Sequence, residues 1–293
     1  MTFLSYLISG LSLGSVYAII ALGYTMVYGI AKMLNFAHGD VIMVGGYMSF
    51  IATAHLGWPP LASVLLAMVV CTALGIVIER FAYKPLRAAP SLAVLITAIG
   101  VSYFLQNAAL LIWSSNPKSF TSIVRLPSLK LFDGELTVSS VAIVTIISCI
   151  LIIIALTFVI GKTKIGKAMR AVSEDKEAAQ LMGISVNQTI SVTFAIGSAL
   201  AAIAGVLLCS AYPILMPTTG SMPGIKAFTA AVFGGIGSIP GAFWGGLLLG
   251  MIEIFGKAYI STELSDAIVF SILIIVLLVK PTGLMGKKIS EKV

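Results

Sequence analysis

Charged residues are scarce in this sequence. They make up 10% of its 293 residues, whereas an ordinary globular domain has about 25%. Apolar residues make up 59%, and the mean hydropathy is +1.08. Several apolar runs of about 20 residues carry no charge, which is long enough to cross a hydrocarbon core about 30 Å thick. These features predict an all-α polytopic membrane protein, because a membrane β-barrel would show short alternating segments instead.

Thiol and imidazole groups are also few. The three cysteines, Cys71, Cys149 and Cys209, each lie inside an apolar run without C-x-x-C or Cys/His spacing, so we expect buried, unpaired thiols. The sequence contains two histidines, and no Ser/His/Asp or metal-ligand pattern is apparent. We therefore expect no catalytic residue and no metal site.

Nucleotide-binding motifs are incomplete. The letters "GKT" at 161–163 match the end of a P-loop, but the glycine required five residues before Gly161 is replaced by Leu156. The segment "GGIGSIPG" approaches G-x-G-x-x-G from Gly235 but has Pro240 at the last glycine position. We expect this chain to bind no ATP and no other cofactor. Its net charge of +7 does not indicate nucleic-acid binding, because the charges stand at the ends of apolar segments.

The apolar runs predict a series of membrane crossings. The N-terminal "MTFLSYLISG" has no basic residue and no cleavage site, so it indicates a retained first helix. The stretch 225–258 is interrupted at "GSIPGA", and two short crossings or a re-entrant helical pair both fit. We expect one transmembrane domain over 1–293, with longer polar loops near 114–137 and 161–188. The predicted crossings lie near 5–28, 39–55, 60–79, 91–113, 138–160, 189–212 and 265–279.

The distribution of basic residues predicts the orientation. If the loop 161–188 is cytoplasmic, most lysines and arginines of the loops fall on its side. The opposite loop, 114–137, has Lys118, Arg125 and Lys130. The positive-inside rule therefore places the C-terminus in the cytoplasm. The N-terminus is outside if 39–55 crosses fully, which we favour, and inside if that segment only dips into the membrane.

The loop 161–188 contains two helical patterns. In the first, apolar residues recur at i, i+3, i+4 and i+7 while basic residues take the other face, which is typical of a helix at the membrane surface. The apolar residues are Ile165, Ala168, Met169 and Val172, and the basic ones are Lys164, Lys167 and Arg170.

The second pattern predicts a helix of about nine residues. Ser173 is a good N-cap, and Glu174, Asp175 and Glu177 place negative charge in the first turn, where the helix dipole favours it. Gly183 stands where a positive φ can end the helix. A helix this short is unstable alone in water, so we expect it to pack on another surface.

Several stretches resemble a known family. "EAAQLMG", Glu177–Gly183, resembles the E-A-A-x-x-x-G coupling motif of ABC importer permeases. "GKAMRAVSEDKEAAQLMGIS", "MLNFAHGD" and "GIKAFTAAVFGGIGSIPGAFWGGLLLGMIE" are similar to stretches of the high-affinity branched-chain amino acid permeases, and the resemblance covers nearly the whole chain. It implies an ABC importer permease bundle of about eight to nine transmembrane helices with a cytoplasmic coupling helix.

The resemblance also implies how the loop would act. The helix would lie in a groove of a cytoplasmic ATPase subunit, with Glu177 against a polar or basic partner. Ala178 and Ala179 would allow close approach, Gly183 would turn the chain back, and Arg170 belongs to the same coupling stretch.

The transporter that the resemblance implies lies in the bacterial inner membrane. It would contain a second related permease, two ATPases that use ATP and Mg²⁺, and an extracytoplasmic amino acid-binding protein, with leucine, isoleucine and valine as cargo. The alternatives are another cargo, such as another amino acid, an amide or urea, or an ion-coupled carrier using Asp40 and Glu253. A passive channel would have no use for a docking helix.

Polar residues inside the apolar runs form the remaining candidates. Asn35, His38 and Asp40 could line the translocation path or a gate, or could cap a helix that re-enters the membrane. The break at Pro240 could expose backbone dipoles to a zwitterionic amino acid.

Other polar residues in or near the spans suggest structural contacts. Gln106 and Asn107 could likewise line the path, and we expect hydrogen bonds between helices at least equally. Glu253 is expected to pair with Lys257 at i+4. The neighbouring residues Glu79 and Arg80 are predicted to form an ion pair at the membrane interface.

Overall fold

The computed structural model describes residues 2–87, 89–131 and 136–286. Within these ranges the chain is mostly helical, and α2 and α3 are each continued by a π-helical turn, Ile51–His55 and Glu79–Tyr83. The α-helices are α1 (Thr2–Ala31), α2 (His38–Phe50), α3 (Pro60–Ile78), α4 (Ser91–Trp113), α5 (Ser140–Lys162), α6 (Lys164–Glu174), α7 (Lys176–Leu181), α8 (Val186–Ala211), α9 (Ser221–Gly234), α10 (Ile239–Tyr259) and α11 (Ser265–Val279).

Four short strands form two antiparallel pairs, β1 with β4 and β2 with β3. The first pair joins the segment after α4 to the segment after α8, so it stands at the end of the bundle where both helices finish. The strands are β1 (Lys118–Ser119), β2 (Leu129–Leu131), β3 (Leu136–Val138) and β4 (Ile214–Leu215).

Six of the described helices are long and apolar enough to cross a membrane. This confirms the all-α membrane architecture that the composition predicts. The shorter α2, α9 and α11 pack with these six, so the predicted eight to nine crossings depend on how the shorter helices are counted. The six are Thr2–Ala31, Pro60–Leu86, Ser91–Trp113, Ser140–Lys162, Val186–Ala211 and Ile239–Tyr259.

Helix α1 stands at the centre of the bundle. Every residue from Leu13 to Val27 is buried, which no lipid-facing helix could show. Small residues permit the close approach of α10: a Cβ added at Gly14 would lie 2.8 Å from the Leu247 Cα. Small-residue stripes of this kind let membrane helices pack at short distance, and here they are used within one chain.

Helices α2 and α9 both begin inside the bundle. After α1 ends at Ala31, residues 32–37 turn back, and His38 starts α2 beside Gly23, eight residues or about 12 Å before the end of α1. α9 starts at the same place, because a Cβ added at Gly39 would lie 2.8 Å from the Gly220 carbonyl oxygen. The segment 39–55 therefore neither spans from one surface nor dips and returns; it starts within the bundle and leaves at the opposite end.

The stretch 225–258 lies in a helical hairpin of α9 and α10, which is compatible with both predicted alternatives. The break lies at 235–238, where Gly235 and Gly237 have φ of 106° and 93°. Pro240 lies in the first turn of α10, after the N-cap Ser238. Proline is tolerated there because the first helical N–H groups have no partner within the helix, so Pro240 does not itself break a helix.

The two ends of the bundle are distinct. The N–H groups of Leu284 and Met285 donate to Phe233 and Gly234 at 2.9 Å, which brings the last described residues to the α9–α10 turn. Lys176 binds the end of α1, so the loop 161–188 is at that end as well. Since α1 is 30 residues long, or about 45 Å, its N-terminus reaches the opposite end.

Candidate functional site

Helix α6 anchors the loop 161–188 to the bundle. Its N-cap is Thr163, whose hydroxyl accepts the Gly166 N–H at 3.0 Å. Met169 and Val172 are buried, as the apolar pattern predicts. Ile165, on the same predicted face, is instead half exposed. The helix therefore packs through Gly166, Met169 and Val172.

Helix α7 begins at Asp175, not at Ser173. The Asp175 carboxylate accepts the N–H groups of Glu177 and Ala178, both at 2.9 Å. Ser173 still lies in the last turn of α6, where its hydroxyl donates to the Arg170 carbonyl. The predicted cap is wrong because α6 continues through Glu174, which leaves α7 with 6 residues rather than about nine.

The end of α7 matches the prediction. Gly183 has φ +80°, and the Ile184 N–H donates to the Ala179 carbonyl at 3.0 Å, which closes the helix as expected for a left-handed C′ glycine. Just before it, Leu181 and Met182 are 88% and 82% exposed. Two large apolar side chains thus stand uncovered on a polar loop.

The faces of α7 differ. Glu177 and Ala178 are exposed, whereas Ala179 is buried against the chain itself. Of the two alanines in the E-A-A motif, Ala178 alone is turned outward.

One lysine ties α7 to the central helix. The Lys176 Nζ donates to the carbonyl oxygen of Ala31, the last residue of α1, at 3.1 Å. Burial lowers the pKa of Lys176, and the nearby Arg87 and Lys32 lower it further. A movement of α7 would therefore be transmitted to the end of α1 through this hydrogen bond.

Arg170 faces a small cavity at the same end of the bundle. It is exposed, and its guanidinium donates to the Gly161 carbonyl at 3.3 Å. The cavity, about 100 Å³, is bounded by α1, α5, α6 and the α9–α10 turn, with Thr25 and Gly237 in its wall. Space is therefore present between the loop 161–188 and the core.

The cluster Asn35, His38 and Asp40 is brought together where α2 begins, but each side chain contacts a different element. Asn35 accepts a hydrogen bond from the Tyr83 hydroxyl at 2.9 Å. The His38 ring packs on Tyr24 with 4.7 Å between centroids. No side chain caps α2, so the helix-cap alternative is not what the structure shows.

Asp40 is reached by α4. Gln106 donates to its Oδ1 at 2.9 Å and lies 3.2 Å from the Ser221 hydroxyl at the start of α9. This interhelix contact confirms the expectation for Gln106, whereas Asn107 donates to Tyr103 of its own helix. Pro240 stands apart, because it lies in the α9–α10 hairpin at the other end of α9. The structure thus gathers three of the four predicted path residues.

Glu253 is the centre of a buried charge network. Its predicted partner Lys257 is bound at 2.6 Å. Lys226 of α9 lies 2.8 Å from the same carboxylate and 2.6 Å from Asp266, and Tyr17 donates to it at 2.8 Å. The network joins α1, α9, α10 and α11. Sequence reasoning missed Lys226 because partners 27 residues apart leave no periodic signal.

Glu79 pairs with Arg87, not with Arg80. Adjacent helical residues point in different directions, so Arg80 turns away and is exposed, whereas Glu79 is buried and also accepts the Ser191 hydroxyl at 2.6 Å. Arg87 in turn binds Asn187 at the start of α8. Arg87 thus links the end of α3 to the end of the loop 161–188.

The model of the family described as branched-chain amino acid transport system / permease component matches residues 6–277. The chain belongs to this family. The permease protein BraD of Pseudomonas aeruginosa is 46% identical over 99% of this chain and 98% of its own length. Escherichia coli LivH is 47% identical over 99% and 98%.

More distant members of the permease family also align over most of their length. The probable branched-chain amino acid transport permease LivH of Methanocaldococcus jannaschii is 30% identical, over 92% of this chain and 88% of its own. The three relatives are named as permeases of branched-chain amino acid transport, and this supports the resemblance drawn from the motifs.

Proposed function

We propose that this chain is a membrane-spanning permease subunit of an ATP-driven importer for leucine, isoleucine and valine. The observation that carries the proposal is α7, a short capped helix with two uncovered apolar side chains at one end of a membrane bundle. The full-length similarity to branched-chain amino acid permeases supports the cargo.

The geometry of α7 fits a docking role. Six residues make fewer than two turns, which are unstable alone in water. Leu181 and Met182 would lose contact with water on docking, at about 1.5–3 kcal/mol for each side chain fully buried. Glu177, exposed in the first turn, would face a polar or basic group of the partner. Gly183 then returns the chain toward the membrane.

The loop is connected to the core at several points. Lys176 binds the end of α1, Met169 and Val172 are part of the buried core, and Arg87 links α3 to Asn187. A partner that pulls α7 therefore acts on α1 and α8, and the cavity near Arg170 leaves room for that displacement.

The proposal implies a set of partners. Two ATPase subunits would bind ATP and Mg²⁺ and dock at α7, a second permease would complete the path, and an extracytoplasmic binding protein would deliver the amino acid. The chain itself would bind no cofactor. It would be a multi-pass protein of the bacterial inner membrane, with the end that carries α7 and the C-terminus in the cytoplasm and the N-terminus outside.

The docking surface can be tested by purification. The tagged chain is produced with its partner subunits, and the ATPases that copurify are quantified for wild type, Glu177→Arg and Leu181→Asp. We expect both variants to lose the ATPases. Leu126→Asp is the matched control, because Leu126 is also exposed but lies in the loop 114–131 at the other end. Unchanged copurification of both variants would contradict the docking role.

Cargo and energy source are separated by transport assays. Uptake of labelled leucine should be inhibited by isoleucine and valine but not by urea or an amide. It should require ATP and survive collapse of the proton and sodium gradients. Uptake that follows an ion gradient without the ATPases would favour the ion-coupled carrier instead.

A further inference from the structure

Three acidic residues are buried in the described part of the chain, and they are compensated unequally. Glu253 is bound by Lys226 and Lys257. Glu79 is bound by Arg87. Asp40 is 2% exposed, yet no lysine or arginine of residues 2–87, 89–131 and 136–286 lies within ion-pair distance of it.

The partners that Asp40 does have are neutral. The Gln106 amide donates to Oδ1, and Asp40 lies in the first turn of α2, where the helix dipole supplies roughly half a positive charge. These groups compensate a buried carboxylate incompletely, since buried charges are normally paired with an opposite charge. Asp40 therefore has capacity to bind a cation.

Asp40 lies where two helices begin inside the bundle. The starts of α2 and α9 meet here through the backbone at Gly39 and Gly220. Gln106 bridges Asp40 to Ser221, so a single side chain holds the two helix starts together. Movement of α9 would break that bridge and uncover the carboxylate.

A second polar side chain near the start of α2 has a hydrogen-bonding position without a partner among the described residues. His38 is fully buried, and its Nε2 has no hydrogen-bond partner among the described residues. Its ring packs on Tyr24, whose hydroxyl faces Gly224 of α9. Buried polar atoms are rarely left unpaired, so His38 is a second residue in the first turn of α2 with hydrogen-bonding capacity that the described residues do not use.

We propose that Asp40 is the site that receives the α-ammonium group of the amino acid as it crosses the membrane, in exchange for the Gln106 amide. The inference rests on the proposed transport function and names the substrate group recognised. The aliphatic side chain of the cargo offers nothing for a carboxylate to bind, whereas the ammonium is a compact cation with three donors. Ser221 provides a further hydrogen-bonding group, because its hydroxyl lies 3.2 Å from the Gln106 amide that binds Asp40.

The first test is transport by the assembled importer in proteoliposomes. Asp40→Asn keeps the size and the contact with Gln106 but removes the charge, so uptake of labelled leucine should fall at least tenfold. Stimulation of ATP hydrolysis by the loaded binding protein should remain, which shows that assembly and coupling are intact. Asp40→Glu should recover part of the uptake. Asn107→Ala, on the exposed face of α4, is the control and should transport normally.

The second test reports on the ammonium directly. Dicyclohexylcarbodiimide modifies membrane carboxyl groups, and its attachment to Asp40 in the assembled importer is read by mass spectrometry. Leucine should slow this labelling, whereas 2-hydroxy-4-methylpentanoate, which lacks the ammonium group, should not. Labelling that neither compound slows, or that both slow equally, would overturn the proposal.

The outcomes separate the two levels of inference. Uptake by Asp40→Asn within twofold of wild type overturns the ammonium site while wild-type, ATP-dependent uptake upholds the importer. If instead wild-type uptake needs no ATPase but follows the proton gradient, the importer fails. Asp40 is then a proton site, and Asp40→Asn should abolish the pH dependence of uptake.

Discussion

Two regions of this apolar chain contain much of its charge, and they use it in opposite ways. Around Glu253, each charged side chain faces a partner of opposite sign from another helix or the next turn. In the loop 161–188, the side chains of Glu177, Arg170 and Lys167 are exposed. Inside a membrane, polar groups must be satisfied by the protein itself, whereas outside it water satisfies them and leaves them free for a partner.

This contrast distinguishes the charged groups that hold the bundle together from those that remain free to bind a partner. In the network of Glu253, which joins four helices, each charged group is already paired. Removing one of these groups should therefore lower the stability of the bundle. The unsaturated groups of α7 contribute little to the bundle, so their loss should be seen in coupling.

The largest effect is expected from Glu253→Gln. Lys257 would lose its partner and Lys226 would keep Asp266 alone. Breaking a buried ion pair by removing one partner costs about 3–5 kcal/mol, so we expect a loss of about 3 kcal/mol in the free energy of unfolding. Denaturant unfolding of the purified chain in mild detergent measures it.

A variant of the same network provides the control. The Lys257 ammonium is one-third exposed, and Lys226 would still compensate Glu253 in Lys257→Met. Partly exposed pairs contribute about 0–1 kcal/mol, so this variant should stay within that range. An equal loss in both variants would show that the network is not organised around Glu253.

The next effect concerns Gly183→Ala. Nothing lies within 4 Å of an added Cβ, but φ is +80°, and the left-handed conformation costs a non-glycine residue about 1–2 kcal/mol. We expect the Ile184 amide, which donates to Ala179, to exchange its hydrogen faster. Gly161→Ala is the matched control, since that site in α5 is equally open and alanine there should stabilise by about 0.5–1 kcal/mol.

A smaller effect tests where α7 begins. Asp175→Ala removes the N-cap and should destabilise α7 by about 1 kcal/mol, seen as faster exchange of the Glu177 and Ala178 amides and weaker ATPase coupling. Ser173→Ala should change stability by less than about 0.5 kcal/mol. The reverse order of effects would restore Ser173 as the cap.

The parts of the fold that sequence could predict are those with a local signal. The length of an apolar run predicts a crossing, and a glycine such as Gly183 after a capped pattern predicts a helix end. The sequence could not decide whether Ser173 or Asp175 is the N-cap of α7, because both residue types are good N-caps. Burial of Val172 at the end of α6 accounts for the difference, since that packing keeps Ser173 helical.

The contacts that define the candidate site have no local signal. Asp40 meets Gln106 66 residues away and Asn35 meets Tyr83 48 residues away, because α2 and α9 start inside the bundle. A sequence pattern suggests that polar residues in a span matter, but it does not say which of them are compensated. That distinction, which singles out Asp40, requires all neighbouring helices to be in place.

The smallest expected effect is a dependence on pH at Lys176. Burial, with Arg87 and Lys32 nearby, lowers the pKa of Lys176 from 10.5, so the folded loop loses this proton at a lower pH than the unfolded chain does. Between the two pKa values the unfolded state binds more protons, and stability therefore rises with pH until about pH 10.5. Comparing unfolding midpoints of wild type and Lys176→Met from about pH 8 to 11 should show this gain in the wild type alone, while Lys164→Met, an exposed lysine of α6, keeps it. A gain that persists in Lys176→Met would place the titrating group elsewhere and leave the contact with α1 as an ordinary hydrogen bond.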